Sequence, residues 1–214
     1  MGHIRSIWGA LELANGRILS WSSDGTLRLW DRHSDGLLNT LEGCSSMISL
    51  VRPFANGCIL SSSLDGTLRR WDGRNDAQNA YIEGDTPSIW DAWEHLSSIE
   101  GALELSDGRI LTWTDNSTLR IWDGCSGVPF AILEGHAASI RGAMELSNGR
   151  ILTWSQDENL RLWDGQSGAL IANLIGHDDW LKPMELTNGC IVTWSGHTLR
   201  IWDGQSGVLL ATLE

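Results

Sequence analysis

The side chains in this sequence that could do chemistry come in series rather than singly. Trp and Asp stand side by side at 30–31, 71–72, 122–123, 163–164 and 202–203, with one more pair at 90–91 outside the series. A general acid or base needs one carboxylate in one special environment. Five carboxylates in equivalent settings read instead as turn caps that accept backbone N–H groups. Cys44, Cys58, Cys125 and Cys190 form no C-x-x-C pair, so neither a metal site nor a redox motif is expected. In a chain of 214 residues, four Cys read as reduced thiols. No G-x-S-x-G, H-E-x-x-H, P-loop or dinucleotide fingerprint occurs. The expectation is therefore no metal and no cofactor. Asn116-Ser117-Thr118 is a glycosylation sequon, without meaning unless the chain is secreted.

Charge excludes further classes. The formal net charge is −12, and Lys182 is the single Lys. That balance argues against nucleic acid, whose binding rests on a basic surface, and against a polybasic membrane anchor. No apolar run approaches the roughly 18–20 residues of a membrane helix. The opening Met-Gly-His-Ile-Arg is not a signal peptide, so a cytoplasmic location is expected.

The elements that position these residues follow from repetition. Successive Trp-Asp pairs of the series are 41, 51, 41 and 39 residues apart. A second Trp precedes the pair at 21, 113, 154 and 194, with Ser62 at that place in the second unit, so nine of the 13 Trp belong to the repeat. Each unit holds four short runs rich in β-formers. Asn-Gly or Asp-Gly separates the first two runs at 15–16, 56–57, 107–108, 148–149 and 188–189, supplying the positive φ of tight hairpins. Four such strands repeated every forty or so residues describe a propeller blade. The fold class is all-β: one domain over 1–214, with five four-stranded blades at about 2–42, 43–84, 95–134, 135–175 and 176–214. An insertion at 86–95 is the one place where a helix could form.

These residues resemble the WD-repeat (WD40) β-propeller family, over the whole chain. The match includes a Gly-His opening, a small hydroxyl residue in the second strand, Asp before the third strand and Trp-Asp at its end. The near-identity of the units is also similar to recently amplified bacterial repeat arrays. The resemblance implies a hydrogen-bonded tetrad of His, Ser or Thr, Asp and Trp in each blade. The indole N–H is a donor only and needs an acceptor once buried. A hydroxyl accepts from it and donates to a His ring nitrogen, whose partner nitrogen donates to Asp. The first blade carries His3, Ser20, Asp24 and Trp30, and the fourth His136, Thr153, Asp157 and Trp163. The second has Ser61, Asp65 and Trp71, with Cys44 in place of His. The third has Thr112, Asn116 and Trp122, with His95 or Asp85 at the His position. The fifth has His177, Thr193 and Trp202, with His197 in its shortened turn.

A Ser-His-Asp set invites a hydrolase reading. It recurs from blade to blade, whereas an active site needs one copy, and holding a buried Trp explains it fully. The chain is thus expected not to be an enzyme. Function should sit where the units differ. The insertion holds Trp90 and Trp93, both outside the repeat. The resemblance implies partner contacts at the residues three and five after the His and just before the turn Asp. Trp8, Met47, Leu64, Arg141, Trp180 and Lys182 stand out among them. The expected function is a scaffold for a protein or peptide partner on this loop rim. The alternative is a lectin-like propeller with aromatic faces stacking on sugar. The chain reads as a whole number of repeats, which leaves two blade faces to match, either by the five blades closing alone or by a homodimer.

Overall fold

Hairpins form where the Asn-Gly and Asp-Gly dipeptides lie. Gly16, Gly57, Gly108, Gly149 and Gly189 all take φ between +79° and +85°, the left-handed region that glycine enters without a Cβ penalty. The computed structural model describes residues 2–34, 36–42, 44, 46–54, 57–63, 68–72, 78–82, 99–124, 128–176 and 182–213. They form five four-stranded sheets, each strand bonded to its neighbours in chain order.

Sheet 1 holds β1 (Ile7–Glu12), β2 (Ile18–Ser22), β3 (Leu27–Trp30) and β4 (Leu37–Leu41). Sheet 2 holds β5 (Ile48–Pro53), β6 (Cys58–Ser63), β7 (Leu68–Asp72) and β8 (Gln78–Ile82). Sheet 3 holds β9 (Ile99–Glu104), β10 (Ile110–Thr114), β11 (Leu119–Trp122) and β12 (Pro129–Leu133). Sheet 4 holds β13 (Ile140–Glu145), β14 (Ile151–Ser155), β15 (Leu160–Trp163) and β16 (Leu170–Leu174). Sheet 5 holds β17 (Lys182–Glu185), β18 (Cys190–Ser195), β19 (Thr198–Asp203) and β20 (Leu209–Leu213). No helix occurs among the described residues, and none there is long and apolar enough to cross a membrane. The insertion at 86–95, with the helix allowed for it, lies outside the described residues.

The chain divides into two compact units, Met1–Ile99 with Cys125–Val128, and Glu100–Gly124 with Pro129–Glu214. In the first unit, Leu19, Leu27, Leu29 and Leu41 of sheet 1 pack against Ile48, Val51, Ile59 and Trp71 of sheet 2. In the second unit the same arrangement occurs twice. Leu111, Leu119, Ile121 and Leu133 of sheet 3 meet Ile140, Ile151 and Trp163 of sheet 4. Leu152, Leu160, Leu162 and Leu174 of sheet 4 meet Ile191 and Trp202 of sheet 5. The leading faces of sheets 1, 3 and 4 are thus rich in leucine, and the trailing faces of sheets 2 and 4 are built on two Ile and the Trp of Trp-Asp, with Ile191 and Trp202 on that of sheet 5. Alternation along each strand sends successive side chains to opposite faces, so one strand serves both neighbours.

The second-strand Trp has its own seat. A Cβ at Gly9 would fall 2.2 Å from the Trp21 ring, one at Gly101 2.0 Å from Trp113, and one at Gly142 2.3 Å from Trp154. The glycine leaves the space that the indole fills. Sheet 2 alters both partners together, pairing Leu50 with Ser62. Sheet 5 alters one: Lys182 stands opposite Trp194, and that indole is 40% exposed.

Candidate functional site

The recurring hydroxyl, imidazole and carboxylate groups are brought together by two strands, the turn between them and the segment ahead of the first strand. In sheet 4, β14 supplies Thr153, β15 supplies Trp163, the turn between them supplies Asp157, and His136 precedes β13. The Trp163 indole N–H donates to Thr153 Oγ1 at 2.9 Å. Thr153 Oγ1 lies 2.8 Å from His136 Nε2, and His136 Nδ1 lies 3.0 Å from Asp157 Oδ2. Sheet 1 repeats this with Trp30 to Ser20 at 2.8 Å, Ser20 to His3 at 2.8 Å and His3 to Asp24 at 3.0 Å. One tautomer satisfies every atom: Nδ1–H donates to the carboxylate and Nε2 accepts from the hydroxyl.

The other sheets keep the indole–hydroxyl bond. Trp71 donates to Ser61, Trp122 to Thr112 and Trp202 to Thr193, each at 2.8 Å. Asp65, Asp85, His95 and His177 lie outside the described residues. Cys44 is half-buried and packs against the core of the first unit. Asn116 is engaged locally, accepting from the Thr114 hydroxyl at 2.5 Å and the Thr118 N–H at 3.2 Å. His197 is exposed in its turn.

The electrostatics are those of a structural network. Burial pushes His136 below its ordinary value, against the pull of Asp157. Burial works to raise Asp157, but the Ala137 N–H, the Arg161 guanidinium and His136 outweigh it and hold the carboxyl far below the usual range. Asp24 behaves alike: burial is outweighed by the hydroxyl and N–H of Thr26 and the N–H of Ile4. Arg161, which lies 2.8 Å from Asp157 and also touches His136 Nδ1, is a fifth member that the tetrad reading missed. The signal was present in the sequence, because Arg28, Arg69, Arg120 and Arg200 hold the same place opposite each hydroxyl.

A nucleophile must meet substrate, and these hydroxyls are enclosed. Ser20 is 5% exposed and Thr153 is fully buried. Each hydroxyl already accepts from an indole. The Trp-Asp carboxylates cap turns: Asp164 accepts from Ser167 N–H and Oγ, and Asp203 from Ser206 N–H and Oγ. Among the described residues no group of three His, Cys, Asp or Glu could hold a metal ion.

The rim positions have a distinct geometry. In β1 the ladder passes from the Ile7–Ser22 pair to the Gly9–Trp21 pair, and Trp8 is the bulged residue between. Ser49 and Arg141 are the bulged residues of β5 and β13. A bulge frees its residue from the pairing and re-aims it. Trp8 is 59% exposed, and Arg141 is exposed. Met47 is half-buried just before β5. Lys182 is not a bulged residue: β17 is unbroken, and Lys182 takes the register of Gly142 rather than that of Arg141. Leu64, Trp90, Trp93 and Trp180 lie outside the described residues.

A polar recess of about 250 Å³ opens between sheets 4 and 5, lined by Arg150, Asp164, Gln166 and Gln205 among others. Its lining contains no aromatic side chain on which a sugar ring could stack.

Residues 36–72 match the family model described as WD domain, G-beta repeat. That stretch runs from β4 of one sheet through β7 of the next, so the sequence unit straddles two sheets. No curated protein matches the chain. The crystal structure of the computationally designed Ika8 protein is similar, with a TM-score of 0.73 and 21% identity over 99% of this chain. The chain spans 63% of that protein's length, and at this identity the likeness shows the fold alone. The described residues form five four-stranded sheets in an all-β chain, and the stretch at 36–72 matches the WD40 repeat.

Proposed function

We propose that this chain is a non-enzymatic scaffold that binds a protein or peptide on the edge carrying the strand bulges. The WD40 match supports an interaction role in general terms. The observation that supports the finer reading is the bulged Trp8. Its indole is 59% exposed, and Ile4, just ahead of β1, is 84% exposed. Large aromatic side chains of this kind anchor protein interfaces. The residue at the bulge differs between sheets, as Trp8, Ser49 and Arg141. Trp90 and Trp93 extend the same proposal by sequence alone.

Peptide display against the intact chain, followed by calorimetry on the enriched peptides, tests the reading. Trp8→Ser should weaken peptide binding at least tenfold while leaving the thermal midpoint within a degree or two. Trp90→Ser with Trp93→Ser should do likewise. Unaltered binding in both variants would contradict the rim assignment. Binding on a glycan array without peptide binding would favour the lectin reading.

A further inference from the structure

The polar recess between sheets 4 and 5 is lined entirely by residues of the second unit. Its walls are the first hairpin turn of sheet 4, at Asn148 and Arg150, and the turn after Trp163, at Asp164 and Gln166, with Gln205 contributed by sheet 5. Gly165 lets the two turns of sheet 4 meet, because a Cβ there would fall 1.9 Å from the Gly149 carbonyl oxygen. Sheet 4 alone joins this glycine to an Asn in the hairpin and an Arg two residues further on. Arg32 takes the place of the glycine in sheet 1, and Cys58 and Cys190 take that of the arginine in sheets 2 and 5. In sheet 3, Asp107 takes the place of the Asn.

The exchange of Asp107 for Asn148 changes what the arginine can do. In sheet 3 the Arg109 guanidinium is occupied by its own surroundings. Its Nε lies 2.7 Å and its Nη2 2.6 Å from Asp107 Oδ2. Its Nη2 also donates to the Gly165 carbonyl at 2.5 Å, and the guanidinium lies 4.7 Å from the centre of the Phe130 ring. In sheet 4 the Asn148 carboxamide accepts from the Arg150 backbone N–H at 3.1 Å and donates to the Gly204 carbonyl at 3.0 Å. Ile171 holds the place of Phe130. The Arg150 side chain is left with one hydrogen bond, to the Gly204 carbonyl at 3.4 Å, and the rest of its N–H fork is open.

An acceptor stands in the same lining. Asp164 gives Oδ1 to its own turn, accepting from the Gln166 N–H, the Ser167 N–H and the Ser167 hydroxyl, and keeps Oδ2. The Ser167 bonds, together with the Arg150 charge, hold its carboxyl below the usual range, so it is ionised. Gln166 and Gln205 are exposed, and their turns engage only their backbone N–H groups.

We propose that this recess binds a free α-amino acid, its carboxylate on the Arg150 guanidinium and its ammonium on Asp164 Oδ2, with the Gln166 and Gln205 carboxamides facing its side chain. A guanidinium presents paired donors that match a carboxylate. The cation and the carboxylate of the lining cancel, which suits a ligand that carries both charges and no net charge. A simple anion would meet Asp164, and a simple cation would meet Arg150. A volume of about 250 Å³ is smaller than the clefts that hold drug-sized ligands, and it matches a molecule of few heavy atoms. The inference goes beyond the peptide reading of the bulged edge and uses none of its residues.

Calorimetry of the intact chain against each standard L-α-amino acid tests the proposal. At least one is expected to bind at a single site. Blocking the ammonium of that amino acid by N-acetylation, or its carboxylate as the α-amide, should weaken binding by at least about tenfold. Arg150→Gln should abolish it. Asn148→Asp rebuilds the sheet 3 arrangement, so the new carboxylate should occupy Arg150 and weaken binding by at least about tenfold, with the thermal midpoint kept or raised. Gln166→Ala, at an exposed turn position, should weaken binding severalfold and reads the site even where another variant unfolds. A chain that binds none of the amino acids, blocked ligands that bind as well as the free one, or unchanged binding in Asn148→Asp would overturn the proposal.

Discussion

His136 meets Asp157 and Arg161 on the same ring nitrogen, and burial decides its charge. The imidazole stays neutral, donating from Nδ1 and accepting at Nε2. Because the fold lowers its affinity for a proton, the unfolded chain binds protons more readily as pH drops through the ordinary value of about 6.5. Stability is therefore full above that value and falls below it. Asp24 and Asp157 are also lowered, so their contribution is present above about pH 3.9 and is lost on further acidification. The thermal midpoint should be flat between about pH 8 and 7, decline below about 6.5, and drop steeply below about 4. Scanning calorimetry across that range checks this. A midpoint that rises from pH 7 to 5 would contradict the neutral imidazole.

The strands and turns were largely legible in the sequence, and the places where reading failed share a physical cause. Asn-Gly dipeptides marked the hairpins because only certain residues enter positive φ cheaply. The Trp-Asp spacing marked the third strand because a buried indole demands an acceptor in fixed register. The bulges at Trp8, Ser49 and Arg141 were not legible. A bulge is a count of residues opposite one another, visible only once two strands pair. The shift of Lys182 by one register has the same origin. The Ser106–Glu145 and Ser147–Glu185 bonds join residues 38 or 39 apart in neighbouring sheets, and no local pattern announces them. Two turns carry backbone strain. Gly25 sits at φ +77° between β2 and β3, but Ser117 and Glu158 take φ +66° and +62° at the equivalent turns. A side chain there costs about 1 kcal/mol or more. Glu158→Gly should therefore raise stability by up to about 1 kcal/mol, because glycine's greater unfolded-state entropy offsets part of the relief. Urea denaturation reads the change, and a loss of stability would show that Glu158 makes contacts outweighing its strain.

At the scale of the whole molecule, one construction rule serves both stability and interaction. In sheets 2, 4 and 5 the Trp-Asp indole packs against the preceding sheet, and in all five sheets it is tied to a hydroxyl. On the bulged edge, Trp8 and Arg141 are exposed. A scaffold needs this rigidity, because an interface pre-formed on ordered strands loses little entropy on binding. The account depends on the Ser/Thr-His-Asp sets holding indoles in place rather than acting on a substrate. Equilibrium urea denaturation of Thr153→Val measures that directly, since valine keeps the shape and removes the hydroxyl. The loss of acceptor and donor leaves the Trp163 N–H and His136 Nε2 unpaired in a buried site. The predicted result is a stability lower by about 1–3 kcal/mol. An unchanged stability would contradict the account.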